Sequence, residues 1–200
     1  MNLYRRTLIA AIALSPFASI AQPRAPFVEI KPAMPTEAEG KVDVAELFWY
    51  GCIHCYNLEG PLETWQKKLP PDVKFRRIPA VFNERWAHDA AIFYTLESMG
   101  LLDKLHRPLF DAIHRDHLQT NNAAALTEWL TKNGVDAKKF NETLKSFGIQ
   151  SKVRKAAQLT VASKIDGTPA IVVQGRYQVA AGDRMLDNVA EAIDVARKQK

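Results

Sequence analysis

The chain has 200 residues, of which 47% are hydrophobic and 24% are charged, and its formal net charge is +5. This composition suits one globular unit, or one domain that carries an insertion, and it excludes an intrinsically disordered chain. The basic residues occur as scattered pairs without a long run or interleaved aromatic residues, so the sequence does not favour nucleic-acid binding.

The first 21 residues have the pattern of a cleaved secretory signal peptide. A short basic segment, 1–6, precedes a largely apolar stretch, 8–20, and small residues end at Ala21, where a signal peptidase would cleave. The alternative is a membrane anchor, but Pro16 interrupts the apolar stretch, which is shorter than the ~20 residues of a membrane span. We therefore expect an exported protein in an oxidising compartment, cleaved after about Ala21.

Two predicted strands flank a predicted helix in the first part of the exported chain. Segments 42–50 and 73–78 are rich in β-branched and aromatic residues, which favours strands. The helix between them is predicted from the region of Cys52 to Lys68, with Pro61 inside it and two prolines after it. A strand, a helix and a strand in this order form a βαβ unit.

The chain's only two cysteines lie in Cys52-Ile53-His54-Cys55, between the first predicted strand and the helix. Backbone N–H groups and the helix dipole favour an anion at a helix N-terminus, and here that anion would be the Cys52 thiolate. Because a thiolate is both nucleophile and leaving group in disulfide exchange, a lowered pKa of Cys52 makes the disulfide a stronger oxidant. His54 adds a nearby cation when it is protonated.

Other interpretations of the cysteine pair are less well supported. A structural disulfide across two residues closes a very small loop and removes little chain entropy. A zinc site needs four ligands, and the sequence has no second cysteine pair; Tyr56 also excludes the haem-attachment pattern. His114 and His117 have a spacing compatible with metal binding on a helix, but no matching cluster supports it. We therefore expect dithiol–disulfide chemistry and no metal.

Helical spacing replaces the strand pattern between about residue 84 and residue 150. Asn122 or Asn121 is predicted to cap one helix and Asp136 the next, and Gly148 is predicted to follow the end of a helix. The predicted helices cover residues 86–99, 102–113, 124–132, 137–147 and 151–164. The last of them is expected to return the chain to its first domain.

The chain ends with a turn motif, a hairpin and a helix. Gly167-Thr168-Pro169 precedes a predicted strand at 171–173, which continues through a hairpin to residue 179. An amphipathic helix is predicted over 186–197. In isolation, Gly-Thr-Pro is an ordinary turn sequence.

These motifs together resemble the DsbA family of periplasmic thiol:disulfide oxidoreductases, within the thioredoxin superfamily. The residues that carry the resemblance are Phe48-Trp49-Tyr50-Gly51-Cys52-Ile53-His54-Cys55-Tyr56, Leu58-Glu59 and Gly167-Thr168-Pro169. The resemblance covers essentially the whole exported chain and implies an α/β thioredoxin fold with an inserted α-helical domain. The thioredoxin-like domain is expected at 22–83 and 151–200, and the helical domain at 84–150.

The resemblance also implies a role for each residue of the site. Cys52 would form mixed disulfides with substrates, and Cys55 would be the buried partner that resolves them. Pro169 would be a cis-proline that faces the disulfide. Thr168 would offer backbone hydrogen bonds to an extended substrate chain, as in strand addition. His54 would stabilise the Cys52 thiolate.

Glu46 lies on an otherwise apolar predicted strand, at the place where this family keeps a buried acid near the active site. Such an acid would accept or relay the proton of Cys55. Arg77 alternates with apolar residues on the neighbouring strand, so its side chain would point inward and pair with Glu46. The alternative is that both residues lie at a solvent-exposed strand end, and the sequence leaves the two open.

We therefore predict a protein that donates its Cys52–Cys55 disulfide to reduced, unfolded exported proteins, with no cofactor beyond that disulfide. The resemblance implies a periplasmic location and a DsbB-like, quinone-linked inner-membrane oxidase as the partner that reoxidises it. We expect a monomer. Ile53 and Thr168 differ from the Pro and Val that many family members carry, so the strength of the oxidant is not implied.

Two alternative functions stay open at this point. The first is a disulfide isomerase or reductase of the same superfamily, which would work from the reduced state and usually carries a separate dimerisation domain. The second is a chaperone-like peptide-binding module with a vestigial disulfide. The second predicts that Cys52→Ser leaves the function intact, whereas the oxidase predicts its loss.

Overall fold

Five strands form one sheet within residues 25–199, the part of the chain that the computed structural model describes. They are β1 (Val28–Glu29), β2 (Val42–Phe48), β3 (Val73–Pro79), β4 (Ala170–Val173) and β5 (Tyr177–Ala180). Their order is β1-β5-β4-β2-β3, so β2 lies inside the sheet and β3 forms one edge. The β2–β3 pair is parallel, and the other pairs are antiparallel.

Seven helices lie in the same described range. They are α1 (Ile53–Gln66), α2 (Glu84–Ser98), α3 (Leu102–His114), α4 (Ala123–Lys132), α5 (Ala137–Leu144), α6 (Phe147–Ala162) and α7 (Met185–Arg197). The five helices from α2 to α6 follow β3 and precede β4, which confirms the predicted α/β architecture with a helical insertion. Between residues 25 and 199, no helix has both the length and the apolar character needed to cross a membrane.

The predicted βαβ unit is confirmed. β2 and β3 lie in parallel with α1 between them in the chain, and Glu46 is directly opposite Arg77. All seven residues of β2 are buried, as expected for a strand covered on both faces. Because α1 begins just beyond the carboxyl end of β2, the first cysteine lies where strand, turn and helix meet.

Helices cover both faces of the sheet. On one face, Val44 belongs to an apolar cluster with Ile193 of α7. On the other face, Leu47 clusters with Leu159 of α6. Phe48, the last residue of β2, belongs instead to the core of the helical layer formed by α2–α5. The helical layer is therefore packed directly against the end of the strand that leads to the cysteines.

One predicted helix boundary is wrong. The pattern placed a single helix over 137–147, whereas α5 ends earlier and α6 begins before Gly148. The Ser146 hydroxyl accepts a hydrogen bond from the Ile149 N–H at 3.4 Å and caps α6 at this earlier point. Ile149 is the first buried residue of α6, so the helix is held by packing from its first turn.

The predicted domain limits stay predictions. The predicted signal peptide, residues 1–21, lies outside the described residues. α6 crosses the predicted boundary at residue 151 and contacts both parts of the protein. Its Leu159 packs with the sheet, and its Ile149 and Val153 pack with Ala90 of α2.

Candidate active site

Cys52 is the N-cap residue of α1, as the sequence predicts. Its backbone is extended, with φ −87° and ψ 114°, and its Sγ accepts a hydrogen bond from the Cys55 backbone N–H at 3.2 Å. This is the position where the N–H groups of the first helical turn and the helix dipole stabilise a negative charge. Cys52 is half-buried, and Cys55 is fully buried. An incoming thiol therefore has access to Cys52 but not to Cys55.

The two thiols have opposite acidities. A hydrogen bond from the Cys55 thiol, with further hydrogen bonds from Thr168 and from the backbone of Cys55 and His54, lowers the pKa of Cys52 to about 5. Burial raises the pKa of Cys55 far above its ordinary value. Both cysteines are free thiols in this structure. At neutral pH the reduced protein therefore carries a thiolate at Cys52 and a neutral thiol at Cys55.

The Gly-Thr-Pro motif lies against the cysteines, although 116 residues separate Cys52 from Thr168. The Cys52 Sγ lies 3.3 Å from the Thr168 carbonyl oxygen, which accepts the thiol hydrogen when Cys52 is protonated. The Thr168–Pro169 peptide bond is cis. The structure thus brings together the two motifs that the sequence singled out at opposite ends of the chain.

His54 lies at the surface, whereas Cys55 is buried. The His54 side chain is exposed, and His54 stabilises the Cys52 thiolate through its backbone. The added effect of its imidazole stays a prediction. Ile53, the other residue between the cysteines, is 47% exposed. Both central residues are therefore exposed at the surface beside Cys52.

Trp49 folds back over the turn that leads to Cys52. A Cβ atom on Gly51 would lie 2.4 Å from Cζ2 of the Trp49 ring, so only glycine fits beneath the indole. The Trp49 Nε1–H donates a hydrogen bond to Asp89 Oδ2 at 2.7 Å, and the indole stacks on Trp86 at 4.3 Å. Asp89 was not predicted as a site residue; an acid on the buried face of a predicted helix was the available signal.

Helix α3 also holds the approach to the cysteines. The His114 ring bonds through Nε2 to the Tyr50 carbonyl oxygen at 2.8 Å and stacks on Tyr56 at 4.9 Å. The Tyr56 hydroxyl donates to Asp111 Oδ1 at 2.8 Å. His114, weighed above as a metal ligand, therefore links the helical layer to both sides of the cysteine motif. In the range 25–199, no three His, Cys, Asp or Glu side chains converge as metal ligands do.

The Arg77 side chain points inward to the buried Glu46, which settles the alternatives that the sequence left open. Arg77 Nε lies 3.2 Å from Glu46 Oε2, and the Glu46 side chain is fully buried. Arg77 also bonds Glu59 through Nη2, at 3.1 Å and 3.4 Å to its two oxygens. One guanidinium therefore serves two buried carboxyl groups.

The two carboxyl groups differ in acidity. Burial raises the pKa of Glu46 to about 8, and the negative charges of Glu59 and Cys52 add to this rise. Burial also opposes the ionisation of Glu59, but His106 and Arg77 outweigh it and hold its pKa below the ordinary value. At neutral pH, Glu46 holds a proton and Glu59 is a carboxylate. Glu59 lies on the buried face of α1 four residues after Cys55, a spacing that could have identified it.

Comparison with known proteins agrees with this geometry. Residues 57–194 match the family described as the DSBA-like thioredoxin domain. The chain belongs to the DsbA family. A thiol:disulfide interchange protein DsbA of Azotobacter vinelandii is 41% identical over 156 residues, which are 78% of this chain and 73% of the relative. The DsbA of Burkholderia cepacia is 34% identical over 96% of this chain and 94% of its own length.

Solved DsbA structures share the fold. The crystal structure of Pseudomonas aeruginosa DsbA superposes with a TM-score of 0.80 at 36% identity, covering 88% of this chain and 94% of that one. The predicted thioredoxin fold with a helical insertion is therefore confirmed. As a DsbA-family protein, the chain is a thiol:disulfide oxidoreductase that acts on the thiols or disulfides of its substrates. Its Cys52 and Cys55 form the pair that such chemistry requires.

Proposed function

We propose that this protein works as a disulfide donor for reduced proteins exported to the periplasm. A substrate thiolate attacks Cys52 Sγ, the Cys52–Cys55 bond breaks, and Cys55 leaves with the electron pair and takes up a proton. A second substrate thiolate then attacks the substrate sulfur of the mixed disulfide and displaces the Cys52 thiolate. The substrate loses two electrons, and the enzyme gains them as a dithiol.

The acidity of Cys52 carries this proposal. A leaving group with a pKa of about 5 departs readily and stays ionised at neutral pH, so the reduced enzyme is stabilised relative to its disulfide. A protein built to reduce disulfides gains nothing from such a stable reduced state. The same asymmetry directs attack to Cys52, because Cys55 is buried.

Glu46 is the group that we assign to the proton of Cys55. It is buried, its charge interacts with that of Cys52, and neither of its oxygens has a hydrogen-bond partner in the described structure. A carboxyl group with a pKa of about 8 exchanges a proton near neutral pH, as a general acid or base must. Glu46 would supply a proton when Cys55 leaves and accept it when the disulfide forms again.

The substrate would lie along the loop that contains Thr168 and Pro169. This loop leads into β4 and contacts Cys52, so an extended peptide bound to its backbone would bring a cysteine to the exposed sulfur. We further propose that the enzyme is a monomer, that it needs no cofactor beyond its own disulfide, and that a DsbB-like membrane oxidase regenerates it. Reoxidation restores the disulfide by removing two electrons.

The test is the redox potential of the Cys52–Cys55 couple, measured by equilibrating the purified protein with glutathione buffers and alkylating the free thiols. We expect a potential well above that of glutathione. A potential well below it would assign the protein to the reductases. In parallel, the oxidised protein is mixed with a reduced, unfolded two-cysteine protein, and the Cys52→Ser variant serves as the inactive control. If that variant worked as well as the parent protein, a peptide-binding module without redox function would be the better description.

A further inference from the structure

An aromatic surface lies at the same end of the sheet as the cysteines, on the side of β2 away from Thr168. β2 has β4 on one side and β3 on the other. Thr168 comes just before β4, which is antiparallel to β2, and Phe82 comes just after β3, which is parallel to it. The Ala80 N–H donates to the Phe48 carbonyl oxygen at 2.8 Å, which holds the chain after β3 against the end of β2. Thr168 and Phe82 therefore both lie at the carboxyl end of β2, where Cys52 follows, one on each side of that strand.

Three rings form this surface, which we call the aromatic platform: Trp49, Trp86 and Phe82. The Trp49 indole covers Gly51, the residue before Cys52. It stacks on the Trp86 ring with 4.3 Å between the ring centroids and an angle of 11° between the planes. Phe82 meets Trp86 edge-on at 5.0 Å and is 46% exposed, and both indoles are partly exposed. The aromatic platform thus extends from the turn that carries the reactive cysteine out to solvent.

Polar and apolar contacts hold the aromatic platform in place. The Trp49 Nε1–H donates to one carboxylate oxygen of the buried Asp89 at 2.7 Å, and the Thr120 hydroxyl donates to the other at 2.5 Å. Trp86 packs on the apolar cluster that joins the sheet to α6. Rings that are fixed before binding add contact area at a low cost in conformational entropy. The aromatic platform is therefore preorganised to receive another side chain.

The position of the aromatic platform matches the reach of a substrate chain. A reduced, unfolded polypeptide must bring its cysteine to Cys52, and its aromatic side chains are not yet buried in a core of their own. An extended chain spans ~3.3–3.6 Å per residue, so the two ring spacings of 4.3 Å and 5.0 Å together correspond to about three residues. A side chain about two to four residues from the substrate cysteine would therefore lie over the aromatic platform.

We propose that the aromatic platform binds an aromatic side chain of the substrate, about two to four residues from the cysteine that attacks Cys52. Ring faces and ring edges offer stacked and edge-on contacts, the two kinds that already join the rings of the platform. The substrate would then contact the protein on both sides of Cys52, with its backbone along the Thr168 loop and with this side chain on the platform. The inference rests on the proposed function as a disulfide donor, because it concerns the substrate of that same site.

The experiment compares reduced two-cysteine peptides as substrates of the oxidised protein. In one series, a single phenylalanine stands about two to four residues before or after the first cysteine, and the reference peptide has alanine at all of these positions. The second-order rate constant for oxidation of the peptide is measured by acid quenching and alkylation with a mass-shifting reagent. We expect phenylalanine at one or more of these positions to raise the rate constant about three- to tenfold. Cyclohexylalanine, which is as bulky but has no π-system, should raise it less.

Two variants locate the effect on the protein. Phe82→Ser removes the exposed ring of the aromatic platform and should reduce the gain from phenylalanine to about twofold or less. Phe147→Ser is the matched control, because Phe147 is also an exposed phenylalanine, at the start of α6. It lies about 20 Å along that helix from Thr160, whose hydroxyl accepts a hydrogen bond from the N–H of Val81, the neighbour of Phe82. Phe147→Ser should keep the full gain, and urea unfolding of both variants checks that they fold.

Three results would overturn the inference: equal rate constants for the phenylalanine and alanine peptides, a gain that Phe82→Ser leaves intact, and an equal gain from cyclohexylalanine. The first two would assign the exposed ring to another contact, such as that with the reoxidising partner, and the third would indicate general apolar burial. Failure of the proposed function is a separate outcome. If the oxidised parent protein oxidised neither the phenylalanine nor the alanine peptide, the disulfide-donor function would fail, and the inference with it.

Discussion

The redox potential of the Cys52–Cys55 couple should depend on pH with two different slopes. Above about pH 5, reduction adds two electrons and one proton, because Cys52 stays a thiolate and only Cys55 is protonated. A two-electron, one-proton couple falls by about 30 mV per pH unit. Below about pH 5 both thiols bind a proton, and the slope should double to about 59 mV per pH unit.

The stabilisation behind this behaviour follows from the pKa of Cys52. A fall from the ordinary value of 9.0 to about 5 favours the reduced form at pH 7 by up to about 2.7 kcal/mol. Cys52 is half-exposed and solvent screens its contacts, so we expect about 2 kcal/mol, or about 40 mV. Because the pKa of Cys52 is lowered, the stabilisation of the reduced form is present at high pH and is lost as the pH falls through about 5.

The measurement is a series of glutathione equilibrations from about pH 4 to about pH 7, below the range in which Glu46 titrates. The fraction of reduced protein is read by acid quenching and alkylation with a mass-shifting reagent. A simple dithiol with ordinary thiols, treated in the same way, should show about 59 mV per pH unit throughout. If the protein also showed that slope between about pH 5.5 and 7, Cys52 would be protonated there and its pKa would not be lowered to about 5.

Three further predictions concern single residues. Cys55→Ser should accumulate mixed disulfides with reduced substrate proteins on non-reducing gels, whereas Cys52→Ser should form none, because only Cys52 is accessible. Glu46→Gln should slow the oxidation of substrate by about tenfold or more. It should also raise the free energy of unfolding in urea near pH 8 by up to about 4 kcal/mol relative to the parent protein, since the raised pKa of Glu46 costs stability as the pH rises above about 4.5; a gain over the parent protein that is no larger at pH 8 than at pH 4 would contradict this. Gly51→Ala should lower the free energy of unfolding by about 1–3 kcal/mol, because the new Cβ would displace the Trp49 ring. Gly60→Ala is the control: a Cβ there meets nothing within 4 Å, so the free energy of unfolding should stay the same or rise. Equal effects of the two substitutions would refute the contact between Gly51 and Trp49.

Local patterns in the sequence predicted most of the helices and strands. The βαβ unit and the closing hairpin follow from β-branched content and turn residues, and the caps at Asn122 and Asp136 follow from their side-chain chemistry. The boundary between α5 and α6 was missed because Ser146 and Gly148 give competing local signals. Burial of Ile149 against α2 decides between them, and a local pattern does not contain that contact.

The sequence predicts the placement of a site residue best where that placement depends on its neighbours in the chain. Cys52 at a helix N-terminus is such a case. The partners of Glu46 depend instead on distant contacts: Arg77 was predicted from strand alternation, but the links to Glu59 and His106 need the packing of α3 against α1. The hydrogen bond of Trp49 is also beyond a local pattern, because its partner Asp89 lies 40 residues away in the chain.

The contact between Cys52 and Thr168 has a consequence for the newly made chain. The Thr168 side chain, which helps to lower the pKa of Cys52, belongs to a loop that is synthesised 116 residues later. In a chain where neither α1 nor that loop has formed, the two cysteines are ordinary thiols, close together in sequence but without the features that make them reactive. An unfinished or unfolded copy would therefore be a substrate for disulfide exchange, and only the completed fold turns the same pair of sulfurs into the reagent.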